Sequence, residues 1–330
     1  MSIYFVAGAY QPGFTGWMAV APDNLSSTSS YSATTLALPV DVVSLSDGEN
    51  MAYQDLIDNS SLLHNKNPGL HMGNLQCSGP LKTDRGFETI INTGFGTRAS
   101  SATGGLLPWL ATFKPNALTD AFATSGLWFS DLSIQGRFAV GGEPSRVTYA
   151  LTGMVLDPDN TLGAPVLDVS SLAGQIGIGT STFLNCSFSD GGTDGISGAP
   201  AIYDGITSFS IRLSNSLMVQ KSAYPGHTDA RIAAGCAPGT LKGSVNFTQM
   251  VGAVNPLPQV TNDTSYPIVV TIQSGTNSAD YLTLDLSVSY DAKSEDIVAT
   301  DFNTIPVSYS LFAGSGAQPT YPIYATYTHA

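Results

Sequence analysis

The chain carries one strand pattern twice, and that repetition limits what it can fold into. Residues Val42-Val43-Ser44-Leu45-Ser46 recur 164 positions on as Ile206-Thr207-Ser208-Phe209-Ser210, with the same alternation of apolar and small polar side chains. At the same offset Cys77-Ser78-Gly79-Pro80-Leu81 falls on Leu241-Lys242-Gly243-Ser244-Val245. With slippage, Asp131-Leu132-Ser133-Ile134 falls on Asp285-Leu286-Ser287-Val288, and Val147-Thr148-Tyr149-Ala150-Leu151 on Val307-Ser308-Tyr309-Ser310-Leu311. A period of two is the signature of strands, and matches in one order indicate tandem copies of one β fold. A chain of 330 residues is long enough for each copy to bury a core. The expected division is 1–160, beginning with an N-terminal arm to about residue 35, and 161–330.

Composition agrees with β structure. Apolar residues make up 42%, which excludes general disorder, and 34 Gly and 19 Pro supply turns rather than long helices. Charged residues are only 11%, against about 25% in an average globular protein. A surface so poor in charge has little protection against association, so much of it is expected to become interface. The net charge of −13 argues against a protein that grips nucleic acid through phosphate. An acidic wall would suit a conduit along which nucleic acid passes without sticking.

The start Met1-Ser2-Ile3-Tyr4-Phe5-Val6 lacks the basic residues and long apolar run of a secretory signal, and no segment approaches the ~18 apolar residues needed to span a bilayer. The expectation is a protein made in the cytoplasm, without a membrane partner. Cys77, Cys186 and Cys236 are odd in number and widely spaced, which fits small buried hydrophobes better than disulfides or a zinc site.

Expected elements are a strand through about 36–46, a long excursion over 50–73, and a strand at 79–82. A helix is expected over 83–91, capped by Thr83, with Phe87, Ile90 and Ile91 on one face and Gly94 or Gly96 ending it. Two strands between 127 and 156 are joined by Gly141-Gly142-Glu143-Pro144. The second copy reads as strands at 206–213, 240–249, 267–274, 281–290, 305–313 and 323–327, with a long loop over 214–239. The fold class is mainly β with minor α: two tandem sandwiches or half-barrels, each with one short helix.

Candidate chemistry is thin. His64, His71, His227 and His329 stand outside any Gly-x-Ser-x-Gly context. Carboxylate pairs for glycoside hydrolysis cannot be picked out by spacing, and Trp17, Trp109 and Trp128 are far apart. The runs Asp190-Gly191-Gly192-Thr193-Asp194-Gly195 and Asp157-Pro158-Asp159-Asn160 lack the full acid ladder of a calcium loop and read as turns. Gly94-Phe95-Gly96-Thr97-Arg98-Ala99 follows a helix, not the strand a dinucleotide loop requires. No catalytic, cofactor-binding or metal-ligating residue is assigned.

The second copy carries a resemblance. Ile206 to Asn215, a loop, Ala230-Arg231-Ile232-Ala233-Ala234-Gly235, and then Gly239-Thr240-Leu241-Lys242-Gly243-Ser244-Val245-Asn246-Phe247 resembles the tail tube proteins of long-tailed bacteriophages. The hairpin within 127–156 and the helix over 83–91 are similar to elements of that family, and the first copy departs from it in lacking a partner for the Asn215 turn. The resemblance implies a structural virion protein and no enzyme. Its subunits would stack as rings whose inner sheets join into a β-barrel around a channel for DNA, and a chain with two tube domains would form trimers of pseudo-sixfold symmetry. Implied partners are further copies of itself and the tape measure, tail tip and terminator proteins, with DNA passing unbound. The loop carrying Leu217, Met218, Val219, Lys221, Tyr224 and Pro225 is then a candidate contact between subunits or rings. Rival expectations are a capsid decoration or tail spike module, and a carbohydrate-binding adhesin or glycosidase.

Overall fold

Apolar and hydroxyl side chains alternate along most of the strands, and a sheet built this way has one face for a core and one for water. The computed structural model describes residues 17–22, 36–54, 65–95, 108–114, 122–138, 145–157, 167, 180–190, 202–220, 235–237, 240–258, 266–275, 278–293, 303–311 and 322–329. In chain order the first series is β1 (Trp17–Pro22), β2 (Leu36–Pro39), β3 (Val42–Gln54), β4 (Asn65–Pro80), helix α1 (Arg85–Thr89) with a π-turn Ile90–Gly94, β5 (Trp109–Lys114), β6 (Phe122–Arg137) and β7 (Thr148–Asp157). The second is a 3-10 turn Phe183–Asn185, β8 (Cys186–Ser189), β9 (Ile206–Asn215), β10 (Met218–Gln220), β11 (Gly235–Ala237), β12 (Leu241–Met250), β13 (Tyr266–Gln273), β14 (Asp280–Lys293), β15 (Thr304–Leu311) and β16 (Ile323–His329). The fold is mainly β, and every strand pair is antiparallel.

Eight strands form one continuous path, β3-β4-β7-β6-β9-β12-β15-β14, in which the β6–β9 pair joins the two series. The long strands β6 and β14 serve two layers. Leu127 of β6 opposes Trp109 of β5 on one edge and Val155 of β7 on the other, while Leu132 opposes Leu151 of β7 and Leu213 of β9. One edge of β6 is therefore held by β7 throughout, and the other first by β5 and then by β9. In β14, Val288 opposes Tyr266 of β13 on one edge and Leu311 of β15 on the other, and β16 continues the β15 edge over the first half of β14.

The two series thus match strand for strand, β3 with β9, β4 with β12, β6 with β14 and β7 with β15, but the registers differ from those read in the sequence. The match of 147–151 with 307–311 holds: Tyr149 and Tyr309 are both buried and donate to proline carbonyls, Pro39 O at 2.8 Å and Pro258 O at 2.6 Å. With that match fixed, Cys77 falls on Gly243, since they oppose Leu151 and Leu311. Leu132 falls on Val288, and Val43 on Leu213. The shifts from the sequence reading are of two, two and six residues. All are even, because a pattern of period two looks the same after any even slip and only pairing decides among them.

The apolar face packs a core that runs across the junction. Phe183, Phe188 and Phe209 lie 5.5 to 6.2 Å apart, Phe247 lies 5.7 Å from Phe188, and Tyr309 lies 6.1 Å from Phe247. Gly136 opposes Phe209, and a Cβ there would come within 2.7 Å of its ring, so the residue must be small for the two series to meet. The helix begins one residue later than expected. Asp84, not Thr83, is the cap, accepting from the amides of Gly86 at 2.8 Å and Phe87 at 3.2 Å; a carboxylate also suits the positive end of the helix dipole. Phe87, Ile90 and Ile91 are buried as the periodicity required, and Gly94 ends the π-turn. Asn92 donates to Ala325 O at 2.7 Å and accepts from Ala325 N at 3.0 Å, as a strand would, on the first helix-bearing series against β16 of the second.

Three further differences stand out. The strand expected over 36–46 breaks between Pro39 and Val42 into β2 and β3. In the expected excursion over 50–73, residues 50–54 and 65–73 are strand, since β3 and β4 stay paired out to Gln54 and Asn65, and 55–64 lie outside the described residues. Instead of a helix, the second series has the 3-10 turn among its described residues. Of the expected arm, Trp17–Pro22 is a strand between β2 and β5, while 24–34 lies outside the described residues.

Candidate assembly interface

One face of the eight-stranded path is mostly hydroxyl and amide, with Val42, Ala150 and Met154 as apolar exceptions. Ser44 and Ser46 of β3, Asn74 and Gln76 of β4, Thr148 and Thr152 of β7, Ser133 and Gln135 of β6, Ser208, Ser210 and Ser214 of β9, Ser244, Asn246 and Thr248 of β12, and Ser308 and Ser310 of β15 share it by register. Neighbours satisfy one another: Ser208 Oγ donates to Thr248 Oγ1 at 2.9 Å and Ser308 Oγ to Asn246 Oδ1 at 2.8 Å. Its two acids are held by hydroxyls, Asp131 by Thr152 at 3.1 Å and Asp291 by Ser310 at 2.7 Å. The bases Arg137, Arg212 and Lys242 are exposed on the same face.

The path ends in two open edges. β6 has both edges filled over Asp131–Arg137, by β7 and β9. In β14 beyond Val288, β15 fills one edge, and among the described residues nothing fills the other. At the far end β3 pairs, among the described residues, only with β4, so the edge that β9 turns toward β6 has no described partner on β3. Burial marks the same difference. Ile211 and Leu213 of β9 are 1% and 2% exposed, whereas Val43 and Leu45 of β3 and Tyr290 of β14 are only half-buried. These apolar side chains lie at the rim of a core with no next strand among the described residues.

The two ends of the strands differ. At the end marked by Asp131, β3 and β4 run past Gly73, the last residue of β4 to reach β7, as a two-stranded arm, and β10 with β11 forms a second two-stranded ribbon after Asn215. At the end marked by Arg137 the surface is apolar: Phe138, Leu184, Ile202, Val251 and Val254 are all exposed, Val254 at 91%.

The expected contact loop is only partly in view. Met218 is exposed and opposes Ala237, and Val219 opposes Cys236. Leu217 is half-buried and lines a hollow of about 520 Å³ together with Ser46, Asn74, Ser130 and Met154 of the first series and Asn215. Lys221, Tyr224 and Pro225 lie outside the described residues. Sequence reasoning missed the open edges, because an edge is a property of pairing and leaves no local trace.

No protein-family model matches the chain, and no curated protein is similar to it. Asp157 is buried and accepts from Ser125 Oγ at 3.0 Å, and His329 pairs with Asp280. Burial pushes the thiols of Cys77 and Cys186 up to about 12, far from thiolate reactivity at neutral pH. Among the described residues no group of three or more His, Cys, Asp or Glu could hold a metal, and no helix is long and apolar enough to cross a membrane.

Proposed function

We propose that this chain is the major tail tube subunit of a bacteriophage virion, assembling head to tail into rings that stack around a channel for DNA. The observation that carries the reading is the pair of open edges. The chain already performs the required junction once internally, where β9 fills the edge of β6. Among the described residues nothing fills the matching edge of β14, nor the outer edge of β3, the strand matching β9. Pairing β14 of one copy with β3 of the next repeats the internal junction. A contact between two different edges is heterologous, and it leaves no free strand only when the ring closes. With two near-equivalent series per chain, three copies give six junctions of one kind. Rings of this design stack with the arms of one end against the apolar surface of the other, and the hydroxyl face lines the channel.

Electron microscopy of concentrated protein tests the proposal. Hollow tubes with a regular axial repeat, and three chains per ring on rotational averaging, are expected. Closed shells, or monomers that stay dispersed even with β3 and β14 intact and bind glycan, would overturn it in favour of a decoration protein or an adhesin.

A further inference from the structure

The hydroxyl face does not share the charge of the molecule. Four described cations, Arg137, Arg146, Arg212 and Lys242, line hollows on that face, against the acids Asp131 and Asp291. Elsewhere among the described residues Lys66, Lys82, Arg85, Lys114 and Lys293 stand against twice as many acids, Asp41, Asp47, Glu49, Asp84, Glu88, Asp157, Asp190, Asp204, Asp280 and Asp285. In a chain of net charge −13 this face carries more described bases than acids, the reverse of an acidic wall. At physiological salt, charges beyond about 8 Å are largely screened, so a group moving along the face responds to these bases and not to the total charge.

The strongest point is a hollow of about 530 Å³ at the β6–β9 junction, where Arg137 and Arg146 stand with Ser145, Thr148, Ser208 and Asn246. No described carboxylate forms an ion pair with either guanidinium. Guanidinium groups beside hydroxyl and amide donors are the side chains that hold phosphate oxygens without reading sequence. Arg212 and Lys242 continue the line along the face: Ser208, opposite Arg137, and Ser214, opposite Lys242, lie six residues apart on β9, about 20 Å at the rise of a strand. That length suits an extended polyanion better than a single ion.

We infer that this face is a weak track for the phosphate backbone of nucleic acid, anchored by Arg137 and Arg146. The inference rests on the proposed channel for its biological setting but is tested without the tube. Binding of a labelled duplex of about 20 base pairs to dispersed protein is followed by fluorescence anisotropy between about 50 and 200 mM salt. Four phosphate contacts predict a slope of log K on log salt of about −3 to −4, which is roughly a 100-fold loss across that range. R137Q/R146Q should reduce the slope by about 2, and R85Q, off the face, should leave it unchanged. Absence of binding at the lowest salt, or equal slopes for R137Q/R146Q and R85Q, overturns the inference. If R137Q/R146Q instead abolishes tubes while the duplex slope is unchanged, the arginines receive an acidic segment of a neighbouring copy, and the track is wrong. Tubes that form normally but bind no duplex would leave the assembly proposal standing alone.

Discussion

Tyr149 and Tyr309 show at the scale of one residue how a repeated position is used twice. Each occupies the apolar side of its strand and sends its hydroxyl to the carbonyl of a proline in a separate segment, so each ring fills core volume and also pins a loop. Replacing either by Phe keeps the ring and leaves a carbonyl short of a donor. Urea denaturation of Tyr149→Phe and of Tyr309→Phe should each show a loss of about 1 kcal/mol, nearly additive because the sites belong to different series. Asp285 makes the opposite case. Burial between Val269 and Tyr324 raises its carboxyl above the ordinary 3.8, so the folded chain holds that proton more tightly than the unfolded chain does. Stability from this group is therefore lost as pH rises from about 3.8 through the raised value, and the cost is complete at neutral pH. Asp285→Asn should raise the melting temperature at pH 7 and have a vanishing effect below pH of about 3.8, which thermal melts across that range would measure. The chemistry of single residues was partly legible in the sequence: the buried helix face of Phe87, Ile90 and Ile91 followed from spacing alone. The capping residue did not, because Thr83 and Asp84 are both competent caps and only the start of the helix chooses between them.

Edges matter at the scale of elements. A β edge with alternating half-buried Val43 and Leu45 is an aggregation liability unless a specific partner covers it. Proline removes one N–H, and along an antiparallel strand successive N–H groups point to opposite edges. Of Val43→Pro and Ser44→Pro, the one whose lost N–H faced β4 should destabilise the monomer, and the one whose N–H faced outward should leave circular dichroism unchanged yet reduce polymer, read by sedimentation, at least 10-fold. Equal polymer from both variants would contradict the role given to β3. For the β10–β11 ribbon, the exposed Met218 is the better probe than Leu217, whose side chain packs within its own chain. Met218→Asp should shorten tubes without altering the thermal melt. The longer strands of the second series were visible as period-two runs, whereas the short β8, and β10 and β11 inside the expected loop over 214–239, were not; nor were β1 and β5, because near-continuous burial erases alternation: Met18, Ala19, Val20 and Ala21 are all buried.

For the whole molecule, the duplication has not produced two independent bodies. The series share the β6–β9 ladder, the aromatic cluster around Phe183, Phe188 and Phe209, and the double hydrogen bond of Asn92 to Ala325. Calorimetry should therefore give one unfolding transition rather than two. Asn92→Ala, which leaves both backbone groups of Ala325 unpaired in a buried site, should lower stability by roughly 1–3 kcal/mol while keeping that single transition. Two separate transitions in the parent protein would show that the shared ladder is too weak to couple the series. The same connection gives the molecule its direction, with arms at one end, exposed Phe138, Ile202 and Val254 at the other, and open edges at the sides.

The sequence by itself determined the class of fold, the presence of two similar series, and which side chains face core or water, because each of these is written in a period of two that survives any even slip. It could not set the registers, which moved by two and six residues, nor foresee the bulge that buries Ile206 while Val42, its match in the sequence, is exposed. Nor could it say that β9 fills an edge of β6 while the matching edge of β14 stays open, or that Arg137, Arg146, Arg212 and Lys242 gather on one face of an acidic chain. Those facts come from hydrogen bonds between residues far apart in sequence, and only the tertiary structure decides them.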